Sequence, residues 1–469
     1  MTVGREPRFP VNTPCECNNM NNNVLDVHTF LDDRPIGRQQ KTVIVLGLLI
    51  LMLDGFDTMM MGFIAPALLQ DWGIGRGDLG PLMMSGIIGL SIGSLLAGPL
   101  ADRFGRRWVI IAAVCAVGIF CITCAFMNGL HTLTAARFLT GVGLGATMPN
   151  ITTLLAECAP LRRRSLLVTS AWCGFGMGGA LCGLVSEHLI QLHSWRAVFI
   201  TGGVLPLVLV LALIIWLPES LRFRLQRNQP HERLVAATNA LMPGSASAST
   251  KFINSEQSTC EATIRGPIAL LSRNYRIGTL TIWLAMFMGF FHLYFLSNWL
   301  PLTASAAGMS YSQAVTLGII LQVGGAIGNF TVGLKMDRYE PNRIVSIMFA
   351  GCAVFTLLIA LFSSSFAMVG TLVFLLGYVL MSANAGCFAL GAAHYPTPIR
   401  ATGVSWVFGI GRVGAILGAG SGAVITTWGL TITDIFTLLT VPVLVAAMAI
   451  YFKRRLRMKA VSTVAQQRI

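Results

Sequence analysis

The chain reads as long apolar runs separated by short polar clusters. Twelve runs of about 20 residues can be marked, each long enough to cross ~30 Å of hydrocarbon as a helix. They cover residues 43–64, 79–101, 108–127, 131–153, 166–189, 196–217, 276–299, 313–335, 343–363, 368–390, 402–425 and 431–452. A polar stretch holding Arg222, Arg224, Arg227, Arg233, Lys251, Arg265 and Arg273 divides the runs into two sets of six. The expected layout is a tail over 1–42, a six-helix unit over 43–217, a connection over 218–275, a second unit over 276–452 and a tail over 453–469. The first tail, with Asn19 and Asn21–Asn23, reads as disordered. No cleavable signal peptide is expected ahead of the first run.

Composition agrees with the pattern. The chain is 54% hydrophobic and 11% charged, whereas soluble domains carry roughly 25% charged residues. An all-α integral membrane protein follows. The net charge of +14 does not indicate nucleic acid, because the basic residues sit in alternate short loops. One set of loops holds Arg103, Arg106 and Arg107, then Arg162–Arg164, then Lys335, Arg338 and Arg343, then Arg400. The final tail adds Lys453, Arg454, Arg455 and Arg457, while the opposite loops hold little beyond Arg76 and Arg196. Positive residues stay on the cytoplasmic side, so both termini are expected there. The eleven cysteines show no metal-ligand spacing. Cys115, Cys121 and Cys124 read as small apolar filling, and Cys15-Glu16-Cys17 is too short a motif to interpret.

The two sets of runs echo each other. Gly98-Pro-Leu-Ala-Asp102-Arg103 follows the second run, and Gly333-Leu-Lys-Met-Asp337-Arg338 follows the eighth. Pro160-Leu161-Arg162 after the fourth matches Pro398-Ile399-Arg400 after the tenth, at a nearly equal offset. Repeated signals imply a duplicated unit, hence two pseudo-symmetric six-helix bundles with a site between them near the midplane.

Asp54 and Asp57 lie inside the first run. A charge at a helix centre in the bilayer costs about 2.5–3.5 kcal/mol on insertion scales. Three residues apart, the two acids share a helix face that must point into the bundle or a wet cavity. They either take up and release protons or pair structurally with a base. Arg137 is the natural partner. Asp57 lies ~21 Å from the cytoplasmic side and Arg137 ~9 Å from the outer side, at 1.5 Å per residue, hence at one depth. The pair is either a switch freed by protonation or a fixed ion pair.

Several motifs resemble those of a known family. Gly98-Pro-Leu-Ala-Asp102-Arg103-Phe-Gly105-Arg106-Arg107 and Arg137-Phe-Leu-Thr-Gly141-Val-Gly143-Leu-Gly145 resemble the loop and fourth-helix motifs of the major facilitator superfamily. Asp54-Gly-Phe-Asp57, Ser297-Asn298-Trp299-Leu-Pro301, Tyr395-Pro396-Thr-Pro-Ile-Arg400-Ala-Thr-Gly403 and Gly409-Ile-Gly411-Arg412-Val-Gly414 resemble its aromatic acid/proton symporter family. The fifth run, with Gly174-Phe-Gly176-Met-Gly178-Gly179-Ala180, lacks the Gly-Pro pair typical of antiporters. The resemblance implies the major facilitator fold. It also implies import of a hydroxybenzoate-, protocatechuate- or benzoate-type carboxylate with protons across the bacterial inner membrane.

On that reading Asp54, Asp57 and Arg137 couple protons, with Asp57 tied to the Arg137 switch and Asp54 also a substrate-binding candidate, closer to the substrate or the proton's inward path. Arg412, whose guanidinium offers a two-pronged fork, is the candidate for the substrate carboxylate. Its glycines let a helix or the ligand come close. Phe56 and Tyr294 could stack on the ring and Asn298 could meet a ring hydroxyl. Trp299 contacts substrate or anchors the membrane interface, and His292 assists proton transfer or is only hydrogen-bonded. Gln322, Asn329 and Asn384 touch ligand or join helices. Gly98, Asp102, Arg103, Gly105, Arg106, Arg107, Glu157, Asp337, Arg338 and Arg400 form a cytoplasmic conformational latch. The alternative for these arginines is topology-setting charge alone. No enzyme signature, metal cluster or cofactor motif appears, and the carrier is expected to act as a monomer. Another organic anion, export, or an aromatic-acid sensor without turnover remain the alternatives.

Overall fold

Backbone groups in hydrocarbon must be satisfied internally, so each apolar run is expected to be helical. The computed structural model describes residues 24–26, 37–158, 161–227, 230–241, 247, 250–253, 270–272, 275–362, 365–395, 397–428 and 430–466. The first set of runs gives α1 (Arg38–Trp72), α2 (Leu79–Phe104), α3 (Arg106–Ala125), α4 (Leu130–Cys158), α5 (Leu161–Leu192) and α6 (Trp195–Trp216). The connection holds the short α7 (Leu221–Gln226) and α8 (His231–Leu241). The second set gives α9 (Arg276–Ala306), α10 (Tyr311–Arg338), α11 (Pro341–Leu361), α12 (Phe366–His394), α13 (Thr397–Thr427) and α14 (Ile432–Gln466). Among the described residues, eleven helices are long and apolar enough to cross a membrane. The other long helix is α4, whose Arg137, Asn150 and several threonines lower its hydropathy.

Local chemistry extends some helices beyond the apolar runs. Helix α1 starts at Arg38 because Gln40 closes its first turn. The Gln40 side chain accepts from the Gly37 amide at 2.7 Å and donates to the Cys158 carbonyl at 2.7 Å. The helix stops at Gly73, whose φ of 62° is a left-handed conformation that glycine adopts without steric cost. Helix α14 runs on to Gln466, past the expected start of the tail. Val24–Asp26 pairs in parallel with Lys251–Ile253, a short link between tail and connection that the sequence pattern does not announce. The asparagine cluster and Cys15-Glu16-Cys17 lie outside the described residues.

The packing repeats as the sequence does. α1 packs on α5, α2 on α4, and α3 on both α4 and α6. The second half follows suit: α9 packs on α13, α10 on α12, and α11 on both α12 and α14. One contact shows why glycine recurs at fixed places. A Cβ at Gly178 of α5 would run into the Met52 carbonyl of α1, and one at Gly418 of α13 would run into the Phe291 carbonyl of α9. Both helix pairs touch backbone to backbone, as small residues allow in lipid where hydrophobic burial cannot drive association.

The halves meet through α5 with α10, α2 with α13, and α1 with α9. Contacts concentrate at the face opposite the chain ends. There Tyr311 donates to the Phe63 carbonyl at 3.2 Å, and Ser312 donates to the Glu187 carboxylate. Gly80 and Met84 of α2 pack on Ala423 and Gly420 of α13. Further along the same face of α2, Leu95 is 78% exposed and Gly98 has nothing near it. The matching face of α13 carries Gly409, also with open space around it. So α2 and α13 are closed at one end and part toward the other.

Gly178→Val and Gly418→Val are each expected to lower unfolding stability in detergent by about 1–3 kcal/mol through overpacking. Gly409→Ala is expected to leave the melting temperature nearly unchanged.

Candidate functional site

Helix α1 runs through the centre of the first half, and its middle turn presents Asp54 and Asp57. They are 3% and 1% exposed. Arg137 of α4 meets Asp57, with Nη1 donating to Oδ1 at 2.8 Å and Nη2 to the Asp57 main-chain carbonyl at 3.2 Å. The guanidinium also lies over the Phe199 ring at 5.8 Å. The contact is incomplete: Asp57 Oδ2 and Arg137 Nε are buried without partners. Depth counting brought these two residues to one level, and the structure joins them.

Asp54 is differently placed. Its Oδ2 is buried and unpaired, and it interacts electrostatically with Asp57 on its own helix and with Arg412 from the other half. Arg412 is half-buried on α13. Its Nη1 donates to the Tyr294 hydroxyl at 3.0 Å, and its Nη2 approaches the Met148 sulfur of α4 at 3.6 Å. Beside Tyr294 lies an aromatic group. The Phe290 ring is 5.8 Å from Tyr294 and 5.9 Å from Phe388, which stacks on Phe408 at 3.8 Å. A cation, an unpaired carboxyl group and flat apolar walls thus converge between the halves. The arrangement can hold an aromatic anion.

The other sequence candidates divide. Gln322 of α10 lies at the junction of the halves, its amide nitrogen 2.8 Å from the Met59 sulfur, its amide oxygen unpaired. Asn298 lies on α9 where it faces α1 and α2, and its amide nitrogen donates to the Tyr294 carbonyl at 2.8 Å. Asn384 is buried beside Gly289 and Phe349, and both its side-chain atoms lack partners. Three candidates point into the interior of one half instead. Phe56 packs toward Gly202 of α6. His292 sits between the Leu439 carbonyl at 3.1 Å and the Thr356 hydroxyl at 3.3 Å. Trp299 is fully buried, donates to the Ala419 carbonyl at 2.7 Å and covers Gly422, so it is not an interfacial anchor. Asn329 is half-buried on α10. Of the cysteines, Cys121 donates to the Phe199 carbonyl at 3.3 Å and Cys124 is buried in the same core.

At the face of the chain ends, Gly105 turns α2 into α3 with a φ of 92°. The half-buried N-terminus of α3 is capped from afar: Glu219 accepts from the Arg106 and Arg107 amides at 3.1 and 3.3 Å. The Arg106 side chain pairs with Glu157 at 3.3 Å, and Glu157 also accepts from Ser220. The Arg107 guanidinium donates to the Ile214 carbonyl at 2.6 Å. Arg227 donates to the Asp102 and Arg103 carbonyls, both at 3.0 Å, at the end of α2. The Asp102 and Arg103 side chains are exposed, and the Asp102 carboxylate has no hydrogen bond among the described residues. Gly98 borders open space, and Arg338 is exposed. The side chains of Asp337, Arg400 and Arg162–Arg164 lie outside the described residues. Glu219 and Ser220 were not singled out in the sequence, and Arg227 was read only as part of the basic connection. The signal available was the acid placed directly after the sixth run, where it can reach the basic loop.

Asp57→Asn strands a buried guanidinium, which is expected to cost about 3–5 kcal/mol. Denaturation in detergent should show Asp57→Asn less stable than the double variant Asp57→Asn/Arg137→Gln.

A family model for the Major Facilitator Superfamily matches residues 47–419. The 4-hydroxybenzoate transporter PcaK of Pseudomonas putida is 42% identical over 430 residues, covering 92% of this chain and 96% of that relative. The gallate transporter of Pseudomonas putida is 43% identical over 444 residues, covering 94% and 97%. The inward open conformation of the xylose transporter XylE from E. coli aligns with a TM-score of 0.70 at 17% identity, over 88% of this chain and 96% of that one, a likeness of fold alone. The chain belongs to the major facilitator superfamily, in its family of aromatic acid transporters.

Proposed function

We propose that this protein imports an aromatic carboxylate of the hydroxybenzoate type together with protons, by alternating access, across the bacterial inner membrane. The observation that carries the reading is the unpaired Asp54 carboxyl group facing Arg412 across the junction of the halves. In a poorly solvated site, two carboxylates cannot share one guanidinium without strong repulsion. A substrate anion therefore fits at Arg412 when Asp54 carries a proton, and proton and anion bind together. Release of both on the opposite side follows from the same rule. The Tyr294 hydroxyl orients the Arg412 fork, and Phe290, Phe388 and Phe408 supply walls for the ring.

Asp57 and Arg137 form the second element. Protonation of Asp57 would loosen Arg137 and ease separation of the halves at the closed face. That face is the outer one on the positive-inside reading, with both termini cytoplasmic. The opening between α2 and α13 then faces the cytoplasm, and the Gly98–Arg107 segment with Asp337, Arg338 and Arg400 acts as the latch of the alternate state. The carrier works as a monomer, since both halves of the site come from one chain.

Proteoliposomes with an imposed pH gradient test this. Uptake of benzoate, hydroxybenzoates, protocatechuate or gentisate is expected to rise with the gradient. Equal uptake with and without it would exclude proton symport, and transport of aliphatic acids alone would exclude the aromatic reading. Binding without any uptake would point to a sensor. Asp54→Asn mimics the protonated acid, so it should retain substrate exchange across vesicles while losing gradient-driven accumulation. Arg412→Lys removes the fork and should raise the half-saturating concentration about tenfold or more.

A further inference from the structure

Asp57 meets the Arg137 guanidinium twice, through a carboxylate oxygen at 2.8 Å and its main-chain carbonyl at 3.2 Å. Phe199 of α6 meets it from another helix: the guanidinium carbon lies over the ring, 5.8 Å from its centroid. A cation within about 6 Å of an aromatic face is attracted by the ring's negative face, more strongly where water is excluded. Phe199 is fully buried, and its placement is fixed from two sides. Trp195, one turn earlier on α6, packs edge-to-face on the ring at 5.9 Å, with the planes at 82°. The Trp195 indole in turn donates to the Asp71 carboxylate of α1 at 2.9 Å. Arg196 joins this brace, pairing with Asp71 at 3.4 Å and lying over Trp195 at 4.4 Å. On the other side, the Cys121 thiol of α3 donates to the Phe199 carbonyl at 3.3 Å.

We infer that Phe199 positions Arg137 through a cation–π contact and keeps hold of the guanidinium while Asp57 is neutral. Protonation of Asp57 removes the negative charge that Arg137 faces. The ring does not titrate and belongs to another helix, so its attraction survives that step. A buried guanidinium stripped of every partner is strongly destabilising, whereas one resting on a ring is partly compensated. The ring thus lowers the cost of the neutral-Asp57 state and keeps the cation within reach when the acid ionises again. Trp195 and Asp71 tie the ring to the end of α1, the helix that carries Asp57. Phe199 is a positioning residue: it acts on Arg137 and exchanges no proton itself. The functional part rests on the coupling role proposed above; the contact does not.

Ring electronics can be changed with little change of shape. Phenylalanine carrying one, two or three ring fluorines at position 199 nearly keeps its volume, while the ring face loses negative charge in steps and holds a cation less well. Melting in detergent tests the contact. The melting temperature is expected to fall stepwise with fluorination in the wild type, and more steeply in Asp57→Asn, where the ring is left to hold the cation. It should stay level in Asp57→Asn/Arg137→Gln, which has no cation to hold. A flat wild-type series, or an equal slope with and without the cation, overturns the contact. A slope no steeper in Asp57→Asn than in the wild type overturns the hold on the neutral state. In proteoliposomes, the trifluorinated protein should lose gradient-driven uptake by about threefold or more. A ring that only fills space would leave uptake unchanged, and that result overturns the positioning role, including where Asp57→Asn fails to fold. If the wild type shows no proton drive at all, the coupling role fails, and the melting series alone still decides the contact.

Discussion

Charge buried in the bundle has to balance locally, because little water is at hand to screen it. Two acids on α1 face two arginines brought by other helices. Asp57 and Arg137 close on each other at 2.8 Å within one half, whereas Asp54 and Arg412 stand on opposite halves without a direct bond. This asymmetry organises much of the architecture. It requires α1 at the centre of its bundle and α4 with a polar stripe. It also requires α13 with a cation on the face that leaves α2. A buried ion pair adds little to stability compared with an apolar replacement. On the proposed function, its presence in a membrane helix reflects a charge that changes during work.

The gross fold was legible because its causes are local. Apolar run length gives each helix. The duplicated Gly-x-x-x-Asp-Arg spacing gives the two bundles. Even the Asp57–Arg137 contact could be reached by counting rise per residue from opposite membrane faces. Helix ends were less legible, since they depend on single side chains such as Gln40 reaching Cys158, which no periodicity shows.

The direction of individual side chains was the hardest to read. α9 is buried nearly all round, so no hydrophobic face marks which residues look inward. His292 and Trp299 consequently turned out to be held within the second half, while Tyr294 and Asn298, on the same helix, reach the junction. Phe56 sits between the two acids in sequence and still points away from them, toward α6. The aromatic group of Phe290, Phe388 and Phe408 draws on three helices, a convergence that only tertiary packing creates. Glu219 is similar: it caps α3 from more than a hundred residues away in the chain.

The central claim is that proton and aromatic anion enter together because Asp54 and the substrate cannot both be charged beside Arg412. The most direct measurement records lumenal pH and labelled 4-hydroxybenzoate simultaneously in proteoliposomes, with no pH gradient imposed and protein-free vesicles as the baseline. The account predicts that adding substrate outside acidifies the lumen in step with its entry. Protein-dependent entry of substrate without any proton movement would contradict it.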